Sequence, residues 1–392
     1  MASNLSKQFL LDEDVVFLNH GSFGACPKPV FQTYQEWQLT LERQPVDFLH
    51  PKRNLVKRME AVRAILSKEF HCSASDLVGV ANATAGLNII AQSLDLQEGD
   101  EILTSTHEYA ALYKTWDYVA SKRGARVVEV AIPLPLQNEE AFYQAIVSGF
   151  TEKTKVLFLS HITSETALVF PLKRVLAAAR NRGILSIVDG AHGPGQLDLN
   201  LAELGADFYV GNCHKWLMAP KSSGFIFAAP DMQGLLNPLV ISHGWTSEAK
   251  APNALGAFGN TPFIDGIEMQ GTQDPSAWLS VPAAIEFYKD NDWKQVRREC
   301  SDLLQQTAQR VAKMTGIEAF SSAEFCAPQM VSMPIPNCDS LALNQELLAR
   351  YNIEIPAFDW RGQSIVRLSV QGYNSQQHMD ILVGALKDLL HL

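Results

Sequence analysis

The sequence predicts an α/β fold: a mainly parallel sheet in a large unit, with a smaller α+β unit at the C-terminal end. Three observations carry this. Short apolar runs alternate with helix-like segments between about residues 77 and 228. Turn pairs such as Gly99-Asp100, Arg123-Gly124 and Arg182-Gly183 punctuate them. After about residue 276 the pattern changes to longer amphipathic stretches followed by new strands.

The apolar runs are Leu77–Ala81, Glu101–Thr106, Arg126–Ile132, Lys155–His161, Leu185–Asp189, Phe208–Val210 and Phe225–Ala228. Helical periodicity falls on Ala110–Lys122, Glu139–Ser148 and Leu172–Arg182. Strands rich in Val, Ile and Leu that alternate with such helices read as βαβ units, because both faces of a parallel sheet are covered. Beyond them, Ser276–Thr315 reads as one or two long helices. Val331–Ile335, Ile353–Ala357 and Ile365–Val370 read as strands, with helices near Leu341–Tyr351 and Gln376–Leu390. The division expected is an N-terminal segment, 1–50, packing with the small unit, a large unit over 51–280 and a small one over 281–392.

Composition narrows the class. A chain of 392 residues with 47% hydrophobic and 19% charged residues is long and apolar enough for a large core. A net charge of -10 argues against general binding to nucleic acid or anionic membrane. No apolar run approaches the ~20 residues of a membrane span, and Met1–Leu11 lacks a signal-peptide core. A soluble, cytoplasmic protein is expected. The six cysteines are scattered without a CxxC pair, so no metal site is expected and the thiols read as reduced and mostly buried.

In a doubly wound sheet, ligands bind beyond the carboxyl ends of the strands. Asp189 ends one apolar run, in Val188-Asp189-Gly190-Ala191-His192. An acid there needs a cation or donors, and as a lone residue it reads as a helix cap or core ion pair rather than as a functional group. Lys215 follows another strand, in Asn212-Cys213-His214-Lys215-Trp216. Desolvation would depress its pKa and make it nucleophilic. The two together match what pyridoxal 5′-phosphate (PLP) requires: an acid that keeps the pyridine nitrogen protonated, and an amine that forms an imine with the aldehyde. The turn Val80–Asn88 opens a helix after a strand and offers free N–H groups and the Thr84 hydroxyl to a phosphate. Simple capping by Asn82 or Thr84 would explain the same residues. Tyr109, after a third strand, is placed to stack on a flat ring. Arg367 shares a strand face with Ser369, and its fork matches a carboxylate.

Together these residues resemble class V aminotransferase-fold PLP enzymes, most closely the isopenicillin N epimerase-like branch. The resemblance runs from Phe17-Leu18-Asn19-His20-Gly21-Ser22-Phe23-Gly24 to Arg367-Leu368-Ser369-Val370-Gln371-Gly372-Tyr373-Asn374. Its most specific pieces are Val188–Gly195, His214-Lys215-Trp216, Ser242-His243-Gly244-Trp245 and Gly271–Ala277. It implies the PLP-dependent transferase fold (aspartate aminotransferase-like, fold type I) and a homodimer. It implies Lys215 as the cofactor lysine and proton carrier, and Asp189 as partner of the pyridine nitrogen. Tyr109 would stack on the ring, with His192 and Ser164 near the ring hydroxyl. Ala83 (through its backbone), Thr84, Asn212 and His214 would hold the phosphate. Thr272 would reach the phosphate of a partner subunit. Arg367, helped by Asn19, would clamp a substrate carboxylate.

Two features depart from relatives. The stretch Ile355–Gln363 has no cysteine where desulfurases of this fold carry a nucleophilic one, so persulfide chemistry is not expected. Ser164 stands where many relatives have Asn. The expected activity is epimerisation at Cα of an amino acid or a small peptide with a free α-amino group. C–S lysis and transamination on the same fold are the alternatives, and non-catalytic nucleotide binding is a remote one. Epimerisation needs a second acid opposite Lys215, and His20, Tyr109 and His243 are the candidates.

Overall fold

The structure, a computed structural model, describes residues 5–247 and 254–392. The first four residues of the 1–50 segment, and residues 248–253 within 51–280, lie outside the described residues. Twelve strands follow the described chain: β1 (Val16–Phe17), β2 (Leu77–Val80), β3 (Glu101–Ser105), β4 (Arg126–Val130), β5 (Thr154–Ser160), β6 (Leu185–Gly190), β7 (Phe208–Asn212), β8 (Gly224–Ala228), β9 (Met330–Pro334), β10 (Ile353–Glu354), β11 (Ala357–Trp360) and β12 (Gln363–Ser369).

Seven strands form one sheet in the order β2-β8-β7-β6-β5-β3-β4. The neighbours from β7 to β4 are parallel, and β8 alone runs antiparallel, to both β2 and β7. The continuous apolar runs have their cause here. Val156, Leu157, Phe158 and Leu159 on β5 are all buried, because helices cover both faces of the sheet. Removing the Phe158 ring would cost about 3–5 kcal/mol. The edge strand β4 instead exposes Arg126 and Glu129, charges that discourage pairing with another chain.

Local chemistry sets the helix ends. Asn82 caps Ala83–Ser93 by accepting from the Ala85 amide, and Asn138 caps Glu139–Ser148 in the same way. Gly124 closes Ala110–Arg123 in the left-handed region. The helix after β5 stops at Arg180, short of the predicted Arg182, as the chain turns through Gly183 at φ +67.

Two expectations for the C-terminal part are corrected. Ser276–Thr315 is neither one helix nor two but three, Ser276–Leu279, Val281–Asp290 and Trp293–Thr315. Pro282 starts the second and Asp292, left-handed at φ +43, separates it from the third. Ile353–Ala357 is not a single strand either. It divides at Ile355-Pro356 into β10, which pairs with β1, and β11, which forms a hairpin with β12 and joins β9 in a three-stranded sheet.

The N-terminal stretch threads between the small sheet and the loop after β7. Leu18 accepts from the Ser369 amide, and Gly24 accepts from Lys221 Nζ at 2.8 Å. Gly24 sits at φ +71, and a Cβ there would lie 2.0 Å from the His214 carbonyl oxygen, so only glycine permits this approach. The helix Lys28–Arg43 then contacts the helices Ser276–Leu279 and Val281–Asp290. All six cysteines are free, with only Cys213 and Cys300 fully buried, fewer than expected. Among the described residues no helix is long and apolar enough to cross a membrane, and no group of three or more His, Cys, Asp or Glu is placed to hold a metal ion.

Candidate active site

Because β8 is antiparallel to both neighbours, β2 runs in the same direction as β7. The carboxyl ends of β2, β3, β5, β6 and β7 therefore share one edge of the sheet. That edge carries Ala83 and Thr84, Tyr109, Ser164, Asp189 and His192, and Asn212, His214 and Lys215.

At its centre, Lys215 Nζ lies 3.0 Å from His192 Nε2. Part of the lysine faces open space, yet burial of its end is the largest influence on the amine and lowers its pKa to about 8. Asp189 and Glu165 oppose that shift and Arg367 adds to it. Asp189 is buried, and its Oδ1 accepts from the Ala191 amide at 2.9 Å. Burial pushes its carboxyl up, against the pull of that amide and of Lys215. His192 is held neutral, first by burial and then by the nearby Lys215 charge. Its Nδ1 accepts from the indole N–H of Trp216 at 3.1 Å.

Behind this group, Glu108 accepts from the Ser105 hydroxyl (2.6 Å) and from the Ser160 amide and hydroxyl (2.8 and 2.6 Å). Burial outweighs these donors and raises its pKa to about 8.

The helix that starts at Ala83 is partly satisfied already. The Ala83 amide donates to Asn212 Oδ1 at 2.8 Å and the Ala85 amide to Asn82. Among the described residues, the Thr84 amide and hydroxyl have no protein partner, and the side chain is exposed. His214 is anchored through Nδ1 to the Ser223 carbonyl at 3.1 Å and lowered to about 4 by burial.

On the other side, Arg367 Nη1 donates to the Ser164 carbonyl (2.7 Å) and hydroxyl (3.2 Å), and Nη2 donates to the Ser22 hydroxyl (3.0 Å). Ser22 in turn donates to Asn19 Oδ1 at 2.5 Å, and Asn19 Nδ2 donates to Glu354 at 3.0 Å. Among the described residues, Arg367 Nε is buried with no partner, as is Glu165 Oε2. Burial lowers the guanidinium to about 10, against the influence of Glu165 and Tyr109. Tyr109 itself is 42% exposed at the start of Ala110–Arg123.

The profile of Aminotransferase class-V matches residues 17–382. The chain belongs to the class-V aminotransferase family. It is 34% identical over 99% of its length to the isopenicillin N epimerase of Amycolatopsis lactamdurans, covering 98% of that protein. A probable chloroplastic L-cysteine desulfhydrase of Arabidopsis thaliana is 26% identical, over 97% of this chain and 84% of the relative. Among solved structures, a C-DES variant with glycine covalently linked to its PLP cofactor superposes with a TM-score of 0.82 at 19% identity, over 97% of this chain and 98% of that one. That likeness bears on the fold alone, which is that of fold type I.

In this class-V chain the sequence-predicted residues are gathered except for Thr272 and the proton-donor candidate His243. Thr272 lies apart, lining a cavity of about 580 Å³ with Ser242, His243, Leu49 and Met59. Ser164 and Asn19 are brought to the Arg367 guanidinium, Asn19 only by way of Ser22. Sequence reasoning missed Ser22, Glu165, Glu108 and the indole of Trp216. Ser22 and Trp216 lie within the stretches Phe17–Gly24 and His214–Trp216, Glu108 directly precedes Tyr109, and Glu165 directly follows Ser164. Nothing in their spacing distinguishes them from packing residues.

Proposed function

We propose that the chain is a PLP-dependent enzyme acting at Cα of an amino acid or small peptide with a free α-amino group, by epimerisation as in its isopenicillin N epimerase relatives. The observation that carries this reading is the depressed amine of Lys215, which feels the charges of buried Asp189 and of Arg367, whose Nε has no partner among the described residues.

The residues fit the cofactor. Asp189 is a buried acid pushed towards protonation for want of a full cation, and a pyridinium nitrogen is such a cation. Thr84, at a helix start with its amide and hydroxyl free, suits a phosphate, with Ala83, Asn212 and His214 shaping the turn. His192 would meet the ring hydroxyl and Tyr109 the ring face. Thr272, which lines a separate cavity, would serve the phosphate of a partner subunit in a homodimer.

Bound PLP supplies an electron sink that acidifies the Cα–H bond. Lys215 anchors the cofactor and takes the Cα proton. Arg367, held by Ser164 and Ser22, orients the substrate carboxylate through its free Nε. Epimerisation also requires a proton delivered from the opposite face. His20 is unsuited to this: it is wholly buried, bonded to the Tyr373 hydroxyl (2.9 Å) and the Lys215 carbonyl (3.0 Å), with its pKa lowered to about 3. His243 lines the Thr272 cavity. Tyr109, which bears on the Arg367 guanidinium, is the second acid in this reading.

The loss of His20 as a proton donor gives one alternative its support. C–S lysis needs only Lys215 for proton work, and a probable cysteine desulfhydrase is among the relatives. A persulfide-forming reaction is disfavoured. The β11–β12 hairpin closes in a tight turn at Arg361-Gly362, both at positive φ, and carries no cysteine. The decisive experiment is Cα–H exchange in deuterated water with a panel of amino acids and peptides. Exchange with inversion supports epimerisation, release of pyruvate supports lysis, and no exchange with any member overturns the reading. Borohydride reduction should bleach a yellow protein and fix the cofactor mass on Lys215. A colourless protein that gains no mass with added PLP would instead favour a non-catalytic role.

A further inference from the structure

We propose that Trp216 is a positioning residue that fixes the tautomer of His192, making its Nε2–H a hydrogen-bond donor to the functional atom opposite. This rests on the reading of Lys215 as the cofactor lysine, but the geometry behind it does not.

An indole N–H can only donate. Trp216 Nε1 lies 3.1 Å from His192 Nδ1, so Nδ1 must be the unprotonated, accepting nitrogen. His192 is buried and neutral, so its one proton is then on Nε2. Nε2 points at Lys215 Nζ, 3.0 Å away. A lysine ammonium has three donors and no acceptor, so it would meet the Nε2–H donor to donor. The neutral amine, with a lone pair, accepts it. The pair Trp216–His192 thereby favours the nucleophilic form of Lys215. Once the cofactor is bound, the same N–H is a fixed donor for its ring oxygen.

The indole is itself held. Trp216 has no exposed surface and packs against the His20 ring with centroids 4.9 Å apart. The Tyr288 hydroxyl donates to its carbonyl oxygen. His20, bonded at both nitrogens, pins the carbonyl of Lys215. One dipeptide, Lys215-Trp216, thus supplies both the reactive amine and the group that orients its neighbour. The other titratable groups that bear on Lys215 are Asp189, Arg367 and Glu165, and those on His192 are Lys215, Arg367, His214 and His20. None of these carries a hydrogen bond to His192 Nδ1, so Trp216 alone among the described residues sets the role of that nitrogen, while Lys215 is the partner of Nε2.

The test reads the tautomer directly in cofactor-free protein labelled with 15N-histidine. Two-bond 15N–1H correlations distinguish Nε2–H from Nδ1–H, and the His192→Gln variant assigns the signal. The wild-type protein should show Nε2–H alone. Trp216→Phe should release a mixture of tautomers, as should an isosteric benzothiophene in place of the indole, which preserves volume and removes only the N–H. An Nδ1–H tautomer in the wild type, or an unchanged one in the benzothiophene protein, overturns the proposal. The second readout is the rate of PLP capture near pH 7. If the Lys215 pKa rises by one unit on loss of the indole N–H, capture slows about tenfold. In a His192→Gln background the same replacement should add little, and an equal slowing there assigns Trp216 a merely structural role. If borohydride fixes no cofactor on Lys215 while the tautomer shift is seen, the cofactor reading fails and the tautomer assignment stands.

Discussion

The Arg367 guanidinium grips Ser164 twice, through the carbonyl at 2.7 Å and the hydroxyl at 3.2 Å, and still leaves its Nε buried and unpaired. A buried donor without a partner costs about 1–3 kcal/mol, which an arriving carboxylate would relieve. Arg367→Lys should therefore raise KM by roughly 10- to 100-fold, since a charge-assisted bond contributes about 1.5–3 kcal/mol. Ser22→Ala should raise it less. Steady-state kinetics with any substrate found in the exchange panel decides this, and an unchanged KM for Arg367→Lys would remove the clamp.

Lys215 sets a pH dependence. Its amine titrates near pH 8 in the folded protein, below the ordinary lysine value of about 10.5. PLP capture should rise with pH through about 8 and then level. A midpoint near 10 would contradict the depressed amine. Folding carries the matching sign. The unfolded chain binds more protons between about pH 8 and 10.5, so the cost of burying Lys215 is full below pH 8 and fades above it. Lys215→Ala should accordingly gain thermal stability at pH 7 while losing turnover by at least about 10²–10⁴-fold.

In the proposed epimerisation, Tyr109 serves the face of Cα opposite Lys215. In Tyr109→Phe, Lys215 still exchanges the Cα proton, but the product of opposite configuration should fall by about 10²–10⁴-fold. Chiral chromatography of substrate recovered from deuterated water measures both at once. Undiminished inversion in Tyr109→Phe would return the role to His243 or another group.

Glu108 makes a second, opposite pH signature. Its folded pKa of about 8 lies above the ordinary carboxyl value near 4.5. The folded state then binds the extra proton between these values, so stability is full below about pH 4.5 and declines as pH rises through 8. Glu108→Gln keeps the shape and removes the titration. Thermal denaturation between pH 5 and 9 should show a flatter profile for this variant than for the wild type, and parallel profiles would mean that Glu108 stays ionised throughout.

By itself, the sequence determined the parts whose physics is local. Continuous apolar runs such as Val156–Leu159 are readable as strands because burial on both faces leaves no polar alternation. The Asn82 and Asn138 caps and the Gly124 stop are equally local. The pairing of Asp189 with Lys215 was legible because each ends or follows a strand of a parallel sheet, whose carboxyl edge gathers ligands. Short-range pattern could not show that Ile353–Ala357 would break at Pro356 to give β1 a partner. The break depends on a contact with residues more than 300 positions away. Nor could it show that His20 is sealed between Tyr373 and the Lys215 carbonyl, or that Ser22 and Ser164 converge on Arg367. Those are distances between side chains on different elements, fixed only when the sheets and the N-terminal stretch pack together. The tertiary structure also decided which nitrogen of His192 faces Lys215, because hydrogen-bond direction depends on the partner the fold supplies.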